Sequence, residues 1–179
     1  MAKLDIIIAP DPRLKLKCKP VTKVDARVAR LMDDMLETMY AAPGIGLAAP
    51  QVGVTQRIIV LDVAREDEKP APIKMANPEL VWVSDEDVTY NEGCLSLPEH
   101  YADVARPKAI RVRYLDHQNE IRELEAEGGK FLLGLGRLQA DGCQDRQAVG
   151  FRQLLHRAFR HPDDISFRPP RSWGAFWLR

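Results

Sequence analysis

The stretch GIGLAAPQVG, residues 44–53, places three glycines and two alanines around Gln51. So many glycines disfavour a stable helix or the interior of a strand, because glycine loses the most backbone freedom on folding. A segment of this kind lets another part of the chain approach closely. A phosphate-binding loop is not indicated, because no Gly-Lys-Ser/Thr sequence follows. The plainer alternative is a helix exit followed by a tight loop.

A second stretch, EGCLSLP at residues 92–98, carries a single cysteine, Cys94. Taken alone, Cys94 is compatible with a nucleophile, a metal ligand or a buried structural residue. The other two cysteines are Cys18 and Cys143. The odd total of three cysteines and their wide spacing argue against a disulfide framework, which leaves chemistry or burial as their roles.

The composition is that of a folded protein with one domain. The 179 residues are 45% hydrophobic and 29% charged, and single cores stop growing only at roughly 250–300 residues. The apolar runs are far shorter than the roughly 20 residues of a membrane helix. The N-terminal residues 1–14 lack the apolar block and cleavage site of a secretory signal. We therefore expect a cytoplasmic protein with no membrane partner.

The charges are divided unequally along the chain, although the net charge is zero. Residues 1–128 hold 17 Lys and Arg against 22 Asp and Glu, whereas residues 129–179 hold nine basic and four acidic residues. All eleven glutamates precede Gly129. A basic tail would suit an RNA or ribosome contact, but this one lacks the aromatic and glycine pattern specific to RNA binding.

Residues 24–42 have the periodicity of an amphipathic helix. Their apolar positions recur at steps of three and four, which places them on one helical face. Asp25 is suited to cap the first turn. Pro43 and Gly44 end the helix, because proline cannot continue it and glycine tolerates the angles of an exit turn. The methionine-rich face is interpreted as ordinary core.

Four later segments show the alternation or β-branched enrichment of strands. They are residues 55–63, 78–85, 109–116 and 120–127. The last two flank a short polar connection that suits a hairpin, and the charged residues 65–74 are predicted to form a surface loop. Residues 1–128 are therefore predicted to be an α+β unit, with one N-terminal helix packed on mixed, mainly antiparallel strands.

Together, GIGLAAPQVG and EGCLSLP resemble the first two signature motifs of the peptide deformylases, which remove the formyl group from the N-terminal formyl-methionine of new bacterial chains. Further similarity lies in five shorter segments of residues 4–128. They are APDPRL, DDMLETMYAAPG, RIIVLDV, ANPEL and ELEAEG. The resemblance implies a deformylase-like body over residues 1–128 that takes formyl-methionyl peptides.

The resemblance also implies a role for each of the following residues. Cys94 would be a metal ligand, completed in this family by two histidines of an HExxH helix, with Fe2+ commonly bound and Zn2+, Ni2+ or Co2+ as substitutes. The Gln51 amide and the Leu95 backbone N–H would stabilise the oxyanion formed during hydrolysis. Ile45 and Gly46 would pair with the substrate backbone as with an added strand. The pocket for the methionine side chain would lie at Glu92.

The family's third motif, HExxH, is absent from this sequence. Its two histidines and its glutamate would fall at about positions 136, 140 and 137, where the chain has Gly136, Ala140 and Arg137. The four histidines present are His100, His117, His156 and His161. The last two are five residues apart and so would lie about 140° apart on a helix, too far to face one metal together.

Residues 129–179 therefore form a divergent or frameshifted tail that we expect to be poorly ordered. Translation of a GC-rich message in the wrong frame would explain both the missing motif and the arginine-rich composition. The alternative is a genuine extension of the chain. Its segment FLLGLGRL would replace the HExxH helix badly, since Gly134 and Gly136 each cost roughly 1 kcal/mol in a helix interior.

We expect a monomeric family member whose metal site is incomplete and whose hydrolytic activity is negligible. Losing two of three protein ligands removes most of the affinity for the metal, and losing the HExxH glutamate removes the proton carrier. The alternative is a non-catalytic relative that binds formyl-methionyl peptides, or the ribosome through its basic tail. DNA is not expected to be a partner.

Overall fold

One helix and seven strands make up the computed structural model, which describes residues 2–64 and 67–128. The helix α1 spans Ala26–Ala41. The strands are β1 (Gly46–Ala48), β2 (Ile58–Leu61), β3 (Ile73–Val83), β4 (Asp87–Cys94), β5 (Leu97–Pro107), β6 (Ala109–Leu115) and β7 (Ile121–Glu127). The expectations for residues 129–179 lie outside the described residues.

The strands form two antiparallel sheets. Five of them make one sheet in the order β1-β2-β3-β6-β7, so that β1 and β7 are its edges. The remaining two, β4 and β5, form a long hairpin of their own. The predicted pairing of the last two strands is confirmed, because β6 and β7 are antiparallel neighbours. One helix on mainly antiparallel strands confirms the α+β class.

The helix begins and ends close to where the sequence predicts. Asp25 caps it by accepting a hydrogen bond from the backbone N–H of Val28 at 2.9 Å, and its last residue, Ala41, lies two positions before Pro43. The buried face carries six side chains. They are Val28, Met32, Met35, Leu36, Thr38 and Met39. No helix in the described part of the chain is long and apolar enough to cross a membrane.

Strand β2 is buried on both faces of the sheet. Ile58 and Val60 belong to the core that includes the buried face of α1. Ile59 and Leu61 point the other way, into a second core shared with β3 and β6. A four-residue strand without a polar side chain is the expected sequence for a strand covered on both sides. Strand β1 therefore pairs with a strand that is packed on both faces.

Two asparagines hold the segment that leads into α1. The side chain of Asn77 accepts from the N–H of Val21 at 2.7 Å and donates to its carbonyl at 2.6 Å. Asn119 makes the same pair of bonds to Val24, both at 2.7 Å. Both asparagines have positive φ, 49° and 64°, a conformation that asparagine tolerates better than most residues. Each asparagine therefore replaces a strand partner for the segment that it contacts.

Replacing Asn77 by alanine tests this arrangement. Asn77→Ala removes both bonds to Val21 and leaves a β-carbon at positive φ, so we expect the free energy of unfolding to fall by about 1–3 kcal/mol. Asn77→Gly removes the same bonds without the backbone strain and should lose roughly 1 kcal/mol less. Asn91→Ala, at an exposed bond to Asp103, should change stability by less than about 0.5 kcal/mol. Urea unfolding measures all three; equal losses would contradict the assignment.

Candidate functional site

The two motif segments meet at one cleft of about 490 Å³. Ile45 and Gly46 line one side of it, and Cys94 and Leu95 line the other. The remaining lining residues come from the same two regions and from the N-terminus. They are Ile6, Ala42, Pro43, Gly44, Gly93, Leu97, Pro98, Glu99, His100 and Tyr101. The structure therefore brings four of the six predicted site residues together.

Gly44 is the point of closest contact between the two segments. A β-carbon added to Gly44 would lie 2.6 Å from Cδ1 of Leu95 and 3.2 Å from its Cγ. Contacts this short do not occur, so a larger residue would push the Leu95 side chain away. The expectation that this glycine-rich segment permits a close approach is consistent with that geometry.

Strand β1 presents a sheet edge to the cleft. Gly46 pairs with Leu61 of β2, and the carbonyl of Ile45 accepts the N–H of Asp62 at 3.0 Å. No strand of the described residues lies on the other side of β1. An open edge of this kind is suited to pairing with an extended peptide, because main-chain hydrogen bonds provide the affinity. The edge is short, which confines such pairing to a few residues.

Cys94 and Leu95 lie where β4 turns back into β5. Cys94 is opposite Leu97 in the ladder, and Leu95 and Ser96 form the two-residue turn between them. Cys94 is half-buried and lines the cleft. The tight turn thus presents the Cys94 side chain on the same side as the edge of β1.

Gln51 is buried, with 2% of its surface exposed, and does not itself line the cleft. Its Oε1 accepts the backbone N–H of Ala48 at 2.9 Å, and its Nε2 donates to the hydroxyl of Ser96 at 3.0 Å. The first bond fixes the 3-10 turn Ala49–Val52 that follows β1. The second joins that turn to the residue after Leu95. The amide orientation is therefore set from both motif segments, and within residues 2–64 and 67–128 the second Nε2 hydrogen has no acceptor.

Ser96 is a site residue that the sequence reasoning missed. It is completely buried, and its carbonyl accepts the N–H of Ala9 at 2.9 Å. The sequence signal that could have identified it is its position between two leucines. A serine buried among apolar residues needs a hydrogen-bond partner for its hydroxyl. Nothing in the sequence identified Gln51 as that partner.

Glu92 does not line the cleft. Its carboxylate accepts two bonds from the Arg106 guanidinium, at 2.6 Å from Nε and 2.7 Å from Nη2. Both side chains are nearly inaccessible, at 4% and 7% of their surface. This bidentate pair braces the two strands of the hairpin from inside. Arg106 also went unrecognised in the sequence, because it lies in a strand of mixed polarity.

The described residues do not fit the metal that the resemblance implies. Glu99 and His100 lie in the cleft with Cys94, but the Nδ1 atom of His100 is 2.7 Å from the carbonyl of Pro98. His117 is exposed in the loop between β6 and β7. Within residues 2–64 and 67–128, no group of three His, Cys, Asp or Glu side chains could hold a metal ion. The printed sequence contains no HExxH either, so the ligand role of Cys94 stays a prediction.

Comparison with known proteins gives a consistent result. The family model described as polypeptide deformylase matches residues 3–132. The peptide deformylase of Phenylobacterium zucineum is 55% identical over 128 residues, which is 72% of this chain and 76% of that protein. The one from Methylocella silvestris is 57% identical over 126 residues, 69% of this chain and 64% of that protein.

Solved structures are similar over the same region. The peptide deformylase of Thermotoga maritima aligns with a TM-score of 0.72 at 36% identity and covers 79% of this chain and 92% of its own. The peptide deformylase of Ehrlichia chaffeensis in complex with actinonin aligns with a TM-score of 0.74 at 34% identity and covers 90% of this chain and 100% of its own.

Replacing Ser96 by alanine tests the contact between the two motif segments. Ser96→Ala leaves the buried Nε2 of Gln51 without an acceptor, so we expect the free energy of unfolding to fall by about 1–3 kcal/mol. Gln51→Met in the Ser96→Ala background removes the unpaired Nε2 but also the bond to the N–H of Ala48, so it should not recover that loss. Urea unfolding measures both. A Ser96→Ala variant as stable as the parent would contradict the contact.

Replacing Arg106 by leucine tests the ion pair inside the hairpin. Arg106→Leu strands the Glu92 carboxylate in a buried position, and we expect a loss of about 3–5 kcal/mol. The double variant Glu92→Leu/Arg106→Leu removes both charges and should recover most of the stability, because no buried charge remains. Thermal and urea unfolding compare the two proteins. A double variant no more stable than the single one would contradict this role.

Proposed function

The chain belongs to the peptide deformylase family, and we propose that it keeps a cleft for formyl-methionyl peptides while hydrolysing them at a negligible rate. The observation that carries the proposal is the single cleft in which the edge of β1 lies beside the turn at Cys94 and Leu95. Binding and hydrolysis depend on different residues of the chain.

Binding is supported by the open edge and by the size of the cleft. An extended peptide would add to the edge of β1 through the backbone groups of Ile45 and Gly46. The volume of about 490 Å³ is within the usual range of small-ligand pockets. The N–H of Leu95, which lines the cleft, would donate to the formyl oxygen. Gln51 would hold the turn of Leu95 in place through its bond to Ser96. Glu92 would shape the methionine pocket indirectly, through the hairpin that it braces.

The lack of hydrolysis is supported by the residues that stand where the third motif would be. Gly136, Arg137 and Ala140 have no side chain suited to carry protons or to complete the metal site with Cys94. Loss of a positioned proton carrier alone typically costs roughly 10²- to 10⁴-fold in rate. The metal site is incomplete as well, so the losses compound.

Separate binding and turnover assays on the full chain test this proposal. Calorimetric titration with formyl-Met-Ala-Ser should show binding, and the unformylated Met-Ala-Ser should bind more weakly because it offers no formyl oxygen. Gly44→Ala should weaken binding of both peptides by displacing Leu95 into the cleft. An anaerobic assay with added Fe2+ should release no formate above the rate without protein.

Peptide binding and the lack of hydrolysis can each be disproved without affecting the other. Formate release at many turnovers, with one metal bound per chain, would overturn the lack of hydrolysis. The absence of heat from either peptide at millimolar concentration would overturn the binding half. Metal content measured on the purified protein distinguishes a chain that binds metal without turnover from one that binds none.

A further inference from the structure

The segment that leads into and begins α1 is strongly basic. We call residues 13–30 the basic strip. It contains seven Lys and Arg against one acidic residue, Asp25, for a net charge of +6. The basic residues are Arg13, Lys15, Lys17, Lys19, Lys23, Arg27 and Arg30. The other residues up to position 128 hold ten basic and 21 acidic side chains, for a net charge of −11. The strip thus has a net positive charge, whereas the rest of the body has a net negative one.

The backbone of the basic strip is held against one end of the five-stranded sheet. The N–H of Lys19 donates to the carbonyl of Thr55 at 3.0 Å, and its carbonyl accepts the N–H of Arg57 at 2.9 Å, just before β2. The strip then passes Asn77 on β3 and Asn119 in the β6–β7 loop, which hold it by the side-chain bonds described above. Its course is therefore fixed at three successive points.

Because the backbone of the strip is anchored, some of its side chains are buried and others are exposed. Cys18, Val21 and Val24 are buried. Lys17, Lys19 and Lys23 are exposed between them, and Arg27 and Arg30 continue the exposed positions on the first turns of α1. A fully extended run from Lys17 to Lys23 would span at most about 20 Å. The strip thus presents a linear array of cations.

The exposed cations from Lys17 onward differ from Arg13, which is paired with Asp11 at 2.6 Å, and from most of the cations elsewhere on the body. Among the described residues, Lys17, Lys19, Lys23, Arg27 and Arg30 form no ion pair. Most other surface cations do. The pairs are Lys74–Asp33, Lys108–Glu86, Arg111–Glu125, Arg113–Glu123 and Arg122–Asp116. The charge of these five side chains of the strip is therefore available to an external anion.

We propose that the basic strip binds the phosphate backbone of single-stranded RNA without reading its sequence. A linear array of cations matches a linear chain of phosphates, and Lys and Arg are the residues that neutralise phosphates. A membrane surface is less suited, because a membrane-bound segment inserts an apolar face, and this strip has none: Val21, Val24 and Val28 are buried, which leaves Leu16 as its one exposed large apolar side chain. The strip has no exposed aromatic residue for base stacking, so the contacts are electrostatic.

Fluorescence polarisation of the full chain with a labelled 15-nucleotide oligouridylate, at 50–200 mM KCl, tests the proposal. The variant Lys17→Gln/Lys19→Gln/Lys23→Gln should weaken binding by about tenfold or more at the lowest salt. Each phosphate contact contributes about −0.7 to the slope of log affinity against log salt. Losing three contacts should therefore make that slope shallower by about 2.

A variant with the same change in charge at another place provides the control. Lys69→Gln/Lys108→Gln/Arg113→Gln also removes three exposed cations and should leave the affinity within about twofold and the slope unchanged. The proposal is overturned if the control weakens binding as much as the strip variant, or if the parent does not bind RNA at 50 mM KCl. Tighter binding to the deoxyribose oligonucleotide or to phosphatidylglycerol vesicles than to oligouridylate would overturn it as well.

Discussion

The hydrogen bond from the Gln51 amide to the Ser96 hydroxyl joins segments 45 residues apart in sequence. Both side chains are buried, so water cannot replace either partner. Breaking the bond would therefore lower the stability of the protein. Gln51 lies in the turn that follows β1, and Ser96 lies in the turn that follows β4. The cleft exists because these two turns are held at a fixed separation, and the contact between Gly44 and Leu95 sets how close they come.

The elements that could be predicted were those with strong local patterns. The helix after Asp25 and the strands on either side of His117 follow from periodicity and capping. The hairpin of β4 and β5 was harder, because most of its side chains are exposed and its strands lack the usual enrichment. The partners of Glu92 and Gln51 could not be found, since long-range side-chain contacts leave no periodic trace. The motif resemblance located the cleft residues that composition alone did not.

In the proposed function, peptide recognition and hydrolysis depend on different parts of the chain. The edge strand, the tight turn and the buried amide all belong to residues before Gly129, and each is supported by contacts within that region. The groups that would move protons and complete a metal site belong, in the family, to a later segment whose residues differ here. The proposed peptide cleft therefore does not require an HExxH motif, because its geometry rests on the backbone pairing of β1 and on the turn between β4 and β5.

The two edges of the main sheet are unequal. Strand β7 carries Glu123, Glu125 and Glu127 at alternate positions, and a row of like charges discourages a second strand from joining there. Strand β1 has no charged residue. An additional strand is therefore expected to pair with β1 rather than with β7. Because β1 has only three residues, such a strand would pair over a short length. Two copies that paired through β1 would each present only the glutamate-bearing edge of β7 to a third copy, so stacking of sheets edge to edge would be expected to end at a pair.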